Sequence, residues 1–117
     1  MTYDPENIFA KILRGEIPCD KVYEDEHALA SNDINPQAPV HVLVVPKEHV
    51  TSVGDAEDGH RDVLGAVLLA ARDVARAEGV AESGFRTVLN TGDDGGQSVH
   101  HLHAHVLGGR VMTWPAG

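Results

Sequence analysis

The sequence predicts an α+β fold with a mostly antiparallel sheet. Three features point there: one long amphipathic helical stretch, strand-like runs on both sides of it, and turn-rich connections that return a strand beside its predecessor. The 117 residues suit a single domain, 1–117, long enough to bury a core without disulfide or metal staples.

Residues 5–14 place Ile8, Phe9, Ile12 and Leu13 at helical spacing, with Pro5 near the first turn and Gly15 just past the end. A short amphipathic helix is expected there. In KVYEDEHALASNDI an acidic turn separates two alternating runs, predicting a hairpin of roughly 21–25 and 28–33. NPQAPVHVLVVPKEHV passes through a proline-marked loop into the most β-branched segment, Val40 to Val45, which Pro46 closes or forces to an edge. From Glu57 to Glu78, Val63, Leu64, Val67, Leu68, Ala71, Val74 and Ala75 form one stripe, acids come early, arginines come late, and Gly79 is the stop. FRTVLNT then reads as a strand, GDDGGQS as a glycine-rich loop and VHHLHAHVLGG as a second strand antiparallel to the first.

Composition narrows the function. Hydrophobic residues make up 42% and charged residues 23%, a folded rather than disordered profile. The lone Cys19 excludes a disulfide framework and a thiolate zinc pair, and a reducing cytoplasm is the expected setting. The start MTYDPENIFAKILRG lacks the pattern of an export signal, and no run approaches the ~18 apolar residues of a membrane span, so no membrane partner is expected. A formal net charge of −9, with Lys11, Lys21, Lys47, Arg61 and Arg110 scattered among acids, makes nucleic acid a poor partner. A small anion remains possible, because backbone N–H groups and imidazoles can build a local anion site.

The chemistry concentrates in HHLHAH, residues 100–105, which holds four of the eight histidines. On a strand, period two puts His101, His103 and His105 on one face and Leu102, Ala104 and Val106 on the other. Such imidazoles can ligate a metal, with His41, His49, His60 or an acid completing the set. They can equally divide phosphoryl chemistry into nucleophile, charge stabiliser and proton donor. The upstream GDDGGQS favours phosphoryl transfer, because Gly92, Gly95 and Gly96 permit close approach to an anion and Ser98 offers a hydroxyl.

GGQSVHHLHAHVLGGR, residues 95–110, resembles the signature of the histidine triad superfamily. NIFAKILRGEIP, YEDEHALASNDINPQAP, HVLVVPKEH and LGGRVMTWPAG resemble, in order and spacing, its branch of histidine triad nucleotide-binding proteins called Hint. The resemblance spans nearly the whole chain. It implies a HIT-like fold, a five-stranded mostly antiparallel sheet with one long and one short helix, extended across a homodimer. It also implies a nucleoside 5′-phosphoramidase acting on purine nucleotides such as AMP joined to an amine or lysine, with no cofactor and no metal. His103 then resembles the nucleophile, His105 the phosphate ligand, His101 the residue orienting its neighbours, and His41 the supporting fourth histidine. Asn90, Gly96, Gln97, Ser98 and His105 match phosphate-binding positions, and Asp33 matches the acid that takes both ribose hydroxyls. Ile8, Phe9, Ile12 and Ile34 would form the base slot, and Trp114 would sit at the leaving group or the dimer contact.

Two positions depart from the pattern. His100 stands where the branch has tyrosine and is expected outside the chemistry. Ser31 lies near an expected aromatic, which leaves the base less enclosed. His27, His49 and His60 are expected to be solvated. Three rivals share these residues: a dinucleoside polyphosphate hydrolase of the same superfamily, a metal-dependent enzyme, and a dimeric nucleotide-binding protein without turnover.

Overall fold

A computed structural model describes residues 2–117. In chain order the elements are α1 (Ile8–Leu13), β1 (Lys21–Glu24), β2 (Ala28–Asn32), β3 (Val40–Pro46), α2 (Arg61–Ala77), β4 (Phe85–Val88) and β5 (Ala104–Gly108), with a 3₁₀ turn, Asp58–His60, leading into α2. The five strands form one sheet in the order β1-β2-β3-β5-β4, and every neighbouring pair is antiparallel. The α+β class and the antiparallel sheet are as the sequence predicts.

Alternation along the strands gives the sheet two unlike faces. Ala28 and Ala30 of β2, Val42 and Val44 of β3, and Ala104 and Val106 of β5 join Val67, Ala71 and Val74 of α2 in the main core. The opposite face carries Leu29, Val45 and Leu43 against Phe9 and Ile12 of α1. His41 and His105 belong to this second face, one residue out of phase with the valines. Burial of the valine face therefore fixes the register that presents the imidazoles, since a one-residue slip would turn them into the core.

The element ends differ from the sequence expectation in informative ways. Residues 5–7 lie outside α1, whose N-cap is Asn7; its side-chain oxygen accepts the Ala10 N–H at 2.9 Å. Leu68, expected on the buried stripe of α2, is 53% exposed. Ala70 is buried instead, because the stripe centres on Val67, Val74 and Ala71 and Leu68 falls about a quarter-turn off that centre. The histidine segment is ladder-paired only from Ala104. Before it, the Leu102 N–H donates to Val50 O at 2.7 Å, and the His101 carbonyl accepts from the His103 ring at 2.8 Å. Two of its backbone groups thus find partners outside the ladder, and the alternation persists: Leu102 enters the main core while His101 and His103 face the other way.

Candidate active site

Hydrogen bonds assign a tautomer to each neutral ring. His103 Nδ1 lies 2.8 Å from the His101 carbonyl, which only accepts, so Nδ1 carries the proton and Nε2 keeps its lone pair. The Gln37 N–H donates to His41 Nδ1 at 3.0 Å, which puts the His41 proton on Nε2. That nitrogen lies 2.9 Å from His105 Nδ1, so His41 donates and His105 retains its own proton on Nε2. His101 donates from Nε2 to Pro46 O at 2.9 Å and accepts the Tyr3 hydroxyl on Nδ1 at 2.6 Å.

Burial favours the neutral rings, because a low-dielectric site penalises charge. It pushes His101 down to about 4, His49 and His103 adding a smaller repulsion. His105 also falls to about 4, again mainly by desolvation, with His103 and His41 contributing and Asp33 opposing. Desolvation lowers His103 as well, against its bond to the His101 carbonyl. The triad is therefore uncharged at neutral pH.

Most of the residues singled out by sequence fall into two cavities whose linings share only His105, while His101, Gly96, Gln97 and Trp114 line neither. The first, about 470 Å³, is bounded by Ile8, Phe9, Ile12, Ile34 and Leu43, with Asp33, Ser98, His103 and His105. The Phe9 ring lies 4.9 Å from that of His103. Ser31 is buried in this wall, where its small side chain leaves the slot wide. The second, about 520 Å³, takes in His41, Asn90, Arg86, Arg110 and the C-terminal stretch Met112–Thr113 and Pro115–Gly117. Asn90 and Ser98 thus line different cavities. Trp114 lines neither cavity; it is 83% exposed, with the Arg86 guanidinium 6.0 Å from its ring centre.

Two expected phosphate ligands are engaged elsewhere. The Gly96 N–H donates to Asp93 O and the Gln97 N–H to Gly92 O, both at 3.0 Å, closing the glycine loop on itself. The Gln97 side chain is buried and bonds Thr51 O, Val99 O and the Gly92 N–H at 2.7 to 3.1 Å. These groups shape the loop rather than face a ligand. Gly95 is required because a Cβ would collide with the Thr91 carbonyl.

Of the other histidines, His27 and His100 lie as expected, whereas His60 and His49 make specific contacts. His27 is exposed and sits 3.2 Å from Glu26, and His100 lines neither of the two cavities. His60 instead accepts the Glu57 N–H at 2.9 Å, closing a capping box on the 3₁₀ turn before α2, and lies 3.2 Å from Glu48. His49 is exposed on one side, but its ring stacks on Tyr3 with centroids 4.4 Å apart and an interplanar angle of 14°.

Sequence reasoning missed Tyr3, which contacts His101 across 98 residues of chain, and Arg86, whose strand position puts it on the same sheet face as His105. Alternation within FRTVLNT, once anchored to the histidine strand, was the available signal for Arg86. For Tyr3 there was none.

One group of side chains meets the needs of a metal among the described residues: Asp33, His41 and His105 offer donor atoms all within 4.8 Å of one another. His41 Nε2 is 3.4 Å from Asp33 Oδ2 and 2.9 Å from His105 Nδ1. Zinc holds such donors at ~2.0–2.2 Å, hence about 3.3 Å from each other, so these residues fit after small movements and loss of the shared proton.

Known proteins resemble the whole arrangement. A family model described as the HIT domain matches residues 14–112. The "Adenylylsulfatase HINT1" of Arabidopsis thaliana is 50% identical over 116 residues, covering 97% of this chain and 78% of that protein. The "14 kDa zinc-binding protein" of Zea mays is 51% identical over 116 residues, covering 97% and 90%. The crystal structure of a HIT family hydrolase from Legionella pneumophila superposes with a TM-score of 0.93 at 47% identity, covering 96% of this chain and all of that one. Helix, sheet and histidine segment all fall inside these matches, and the chain belongs to the histidine triad family of hydrolases, in its Hint branch.

Proposed function

We propose that this hydrolase cleaves the phosphorus–nitrogen bond of purine nucleoside 5′-phosphoramidates through a covalent nucleotidyl-His103. The observation that carries the reading is the His103 tautomer: with Nδ1–H tied to the His101 carbonyl, the unprotonated Nε2 is the nitrogen left for the cavity. Desolvation keeps that lone pair free at neutral pH.

The nucleoside fits the first cavity, with the base against Ile8, Phe9, Ile12 and Ile34 and both ribose hydroxyls on Asp33, whose carboxylate can accept two hydrogen bonds. The 5′-phosphoryl group then lies at His105, where the two cavities meet, and its oxygens accept from His105 Nε2–H. In the first step His103 Nε2 attacks phosphorus in line. The P–N bond breaks, and the nitrogen leaves as an amine with a solvent proton relayed through His105, which lines both cavities. In the second step water adds its oxygen to phosphorus and the P–Nε2 bond breaks. The remaining proton passes to solvent, and nucleoside monophosphate and neutral His103 are regenerated.

No cofactor or metal takes part in this scheme, and the setting we propose is the cytoplasm. A second copy of the chain is the proposed partner; Leu68 and Leu69, each about half exposed on α2, support that contact, and sedimentation equilibrium tests it. One rival has a specific observation in its favour, the donor set Asp33, His41 and His105. Bound there, a metal ion would supply Lewis-acid polarisation of a phosphoryl oxygen.

The test offers an adenosine phosphoramidate, a guanosine phosphoramidate and a dinucleoside polyphosphate in the presence of chelator. Phosphoramidate turnover that survives chelation is expected, with His103→Ala reducing it by about 10³-fold or more while nucleotide still binds. Full activity in the variant removes His103 as nucleophile. Loss of wild-type activity on chelation favours the metal reading, preference for the polyphosphate favours the sister hydrolase, and no turnover of any of them leaves a binding protein.

A further inference from the structure

The second cavity has a charge character at odds with the rest of the molecule. The chain carries 18 acidic and nine basic side chains. Among the described residues, Lys11, Arg14, Lys21, Lys47, Arg72 and Arg76 each have a carboxylate within 4.0 Å. Arg61, Arg86 and Arg110 have none, and the last two line the cavity that reaches His41, Asn90 and His105, whose wall includes no Asp or Glu side chain. Two guanidiniums left without counterions in a strongly acidic protein are an unusual concentration of positive potential.

Their placement is built rather than accidental. In the β4–β5 register Val88 lies opposite His105 and Arg86 opposite Leu107, so Arg86 shares the face of His105 one alternation away, roughly 7 Å along the strand. A guanidinium on its stem spans that distance. Arg86 donates from Nη2 to Thr113 O at 3.0 Å, which uses one of its five donors. Arg110 is held by two bonds to Gln37 O, at 3.1 and 3.3 Å, and one to Val111 O at 3.3 Å, which leaves two. The turn that delivers it depends on Gly109, whose φ of 88° and close approach to Pro39 exclude a side chain. Neutral carbonyls thus anchor both cations without discharging them, and unspent N–H donors remain for a ligand.

We propose that Arg86 and Arg110 form an anion-recognising subsite for the leaving group, so that the preferred substrates are nucleoside 5′-phosphoryl compounds whose departing group itself bears a negative charge, a carboxylate or a sulfate. The inference rests on the reading above, in which phosphorus lies at His105 with the nucleoside in the first cavity. The leaving group, in line with attack from His103, then enters the second.

Binding to the full-length His103→Ala variant reads the subsite whether or not the wild type turns over. The probes are the adenosine 5′-phosphoramidate of alanine, the matching compound of alaninamide, which differs by loss of the carboxylate charge, and adenosine 5′-phosphosulfate. An affinity at least about tenfold higher for the alanine compound than for alaninamide is expected, the ratio falling towards one when Arg86→Gln is added. If phosphosulfate alone exceeds alaninamide, and Arg86→Gln removes that excess, the subsite takes a tetrahedral oxyanion. Equal affinities for all three overturn the proposal, as does a preference that survives Arg86→Gln together with Arg110→Gln. Wild-type hydrolysis of the two phosphoramidates separates the readings: cleavage without charge preference in binding sinks the subsite alone, and charge preference without cleavage sinks the phosphoramidase reading alone.

Discussion

On one side of His105 lie Ile8, Phe9, Ile12 and Leu43 with Asp20 and Asp33; on the other lie Arg86, Arg110, His41 and Asn90 with no acidic side chain. The first lining suits a flat apolar ring and a diol, and the second suits an anion. Both belong to one sheet face, and the shift between them occurs across neighbouring strands rather than between domains. A single alternating pattern can thus supply two chemistries. The residue at the junction, His105, is held neutral by burial, so it adds no charge to either side.

Acidification attacks the histidine segment that leads to the shared His105 and carries the largest expected effect. His101 is held at about 4 in the fold against 6.5 when unfolded. Between those values the unfolded chain takes up a proton that the fold refuses, so stability is complete above pH 6.5 and falls as pH drops towards 4. The loss from His101 alone, which is fully buried, is about 3 kcal/mol. Urea unfolding midpoints at pH 7 and pH 4.5 measure it, and a flat profile would mean that the ring accepts its proton in place.

A change confined to one side sharpens the contrast. Asp33→Ala should weaken AMP binding by about 10- to 30-fold, near 2 kcal/mol, through loss of charge-assisted bonds to the ribose. The alanine-to-alaninamide ratio should stay as it was. Calorimetry with AMP and its 2′,3′-dideoxy analogue reads the first part, and a ratio that moved with Asp33 would mean that the two linings act as one site. The smallest effect belongs to Tyr3→Phe. It strips the 2.6 Å bond from His101 and should cost about 1 kcal/mol of stability in thermal unfolding, with neither cavity changing its preference. An unaltered melting temperature would mean that the stacking on His49 alone holds the segment.

What could be read in advance follows from the range of each interaction. Alternation is local, so the separation of His101, His103 and His105 from Leu102, Ala104 and Val106 was visible in six letters. The start of β5 was not, because whether an extended segment joins a ladder depends on a partner strand, and here β4 ends at Val88. Glycines in GDDGGQS announced a tight loop, but which N–H groups the loop would consume depends on its turns, and Gly96 and Gln97 point theirs inward. The fourth histidine, His41, was identified by resemblance. The direction of its proton needed the Gln37 amide, a backbone atom that no side-chain pattern reports.

That amide has a consequence for how the site would look to a mutational scan. Gln37 donates its N–H to His41 and accepts from Arg110 on its carbonyl, so the fourth histidine and one cation of the second cavity are tied to one residue between Pro36 and Pro39, whose rings restrict the path of the loop. Every replacement by alanine would keep both groups and score the position as silent. Only proline, which deletes the amide hydrogen, would expose it. The information resides in the route of the main chain, and a map drawn from side chains alone would leave blank the residue on which the proton order of the site depends.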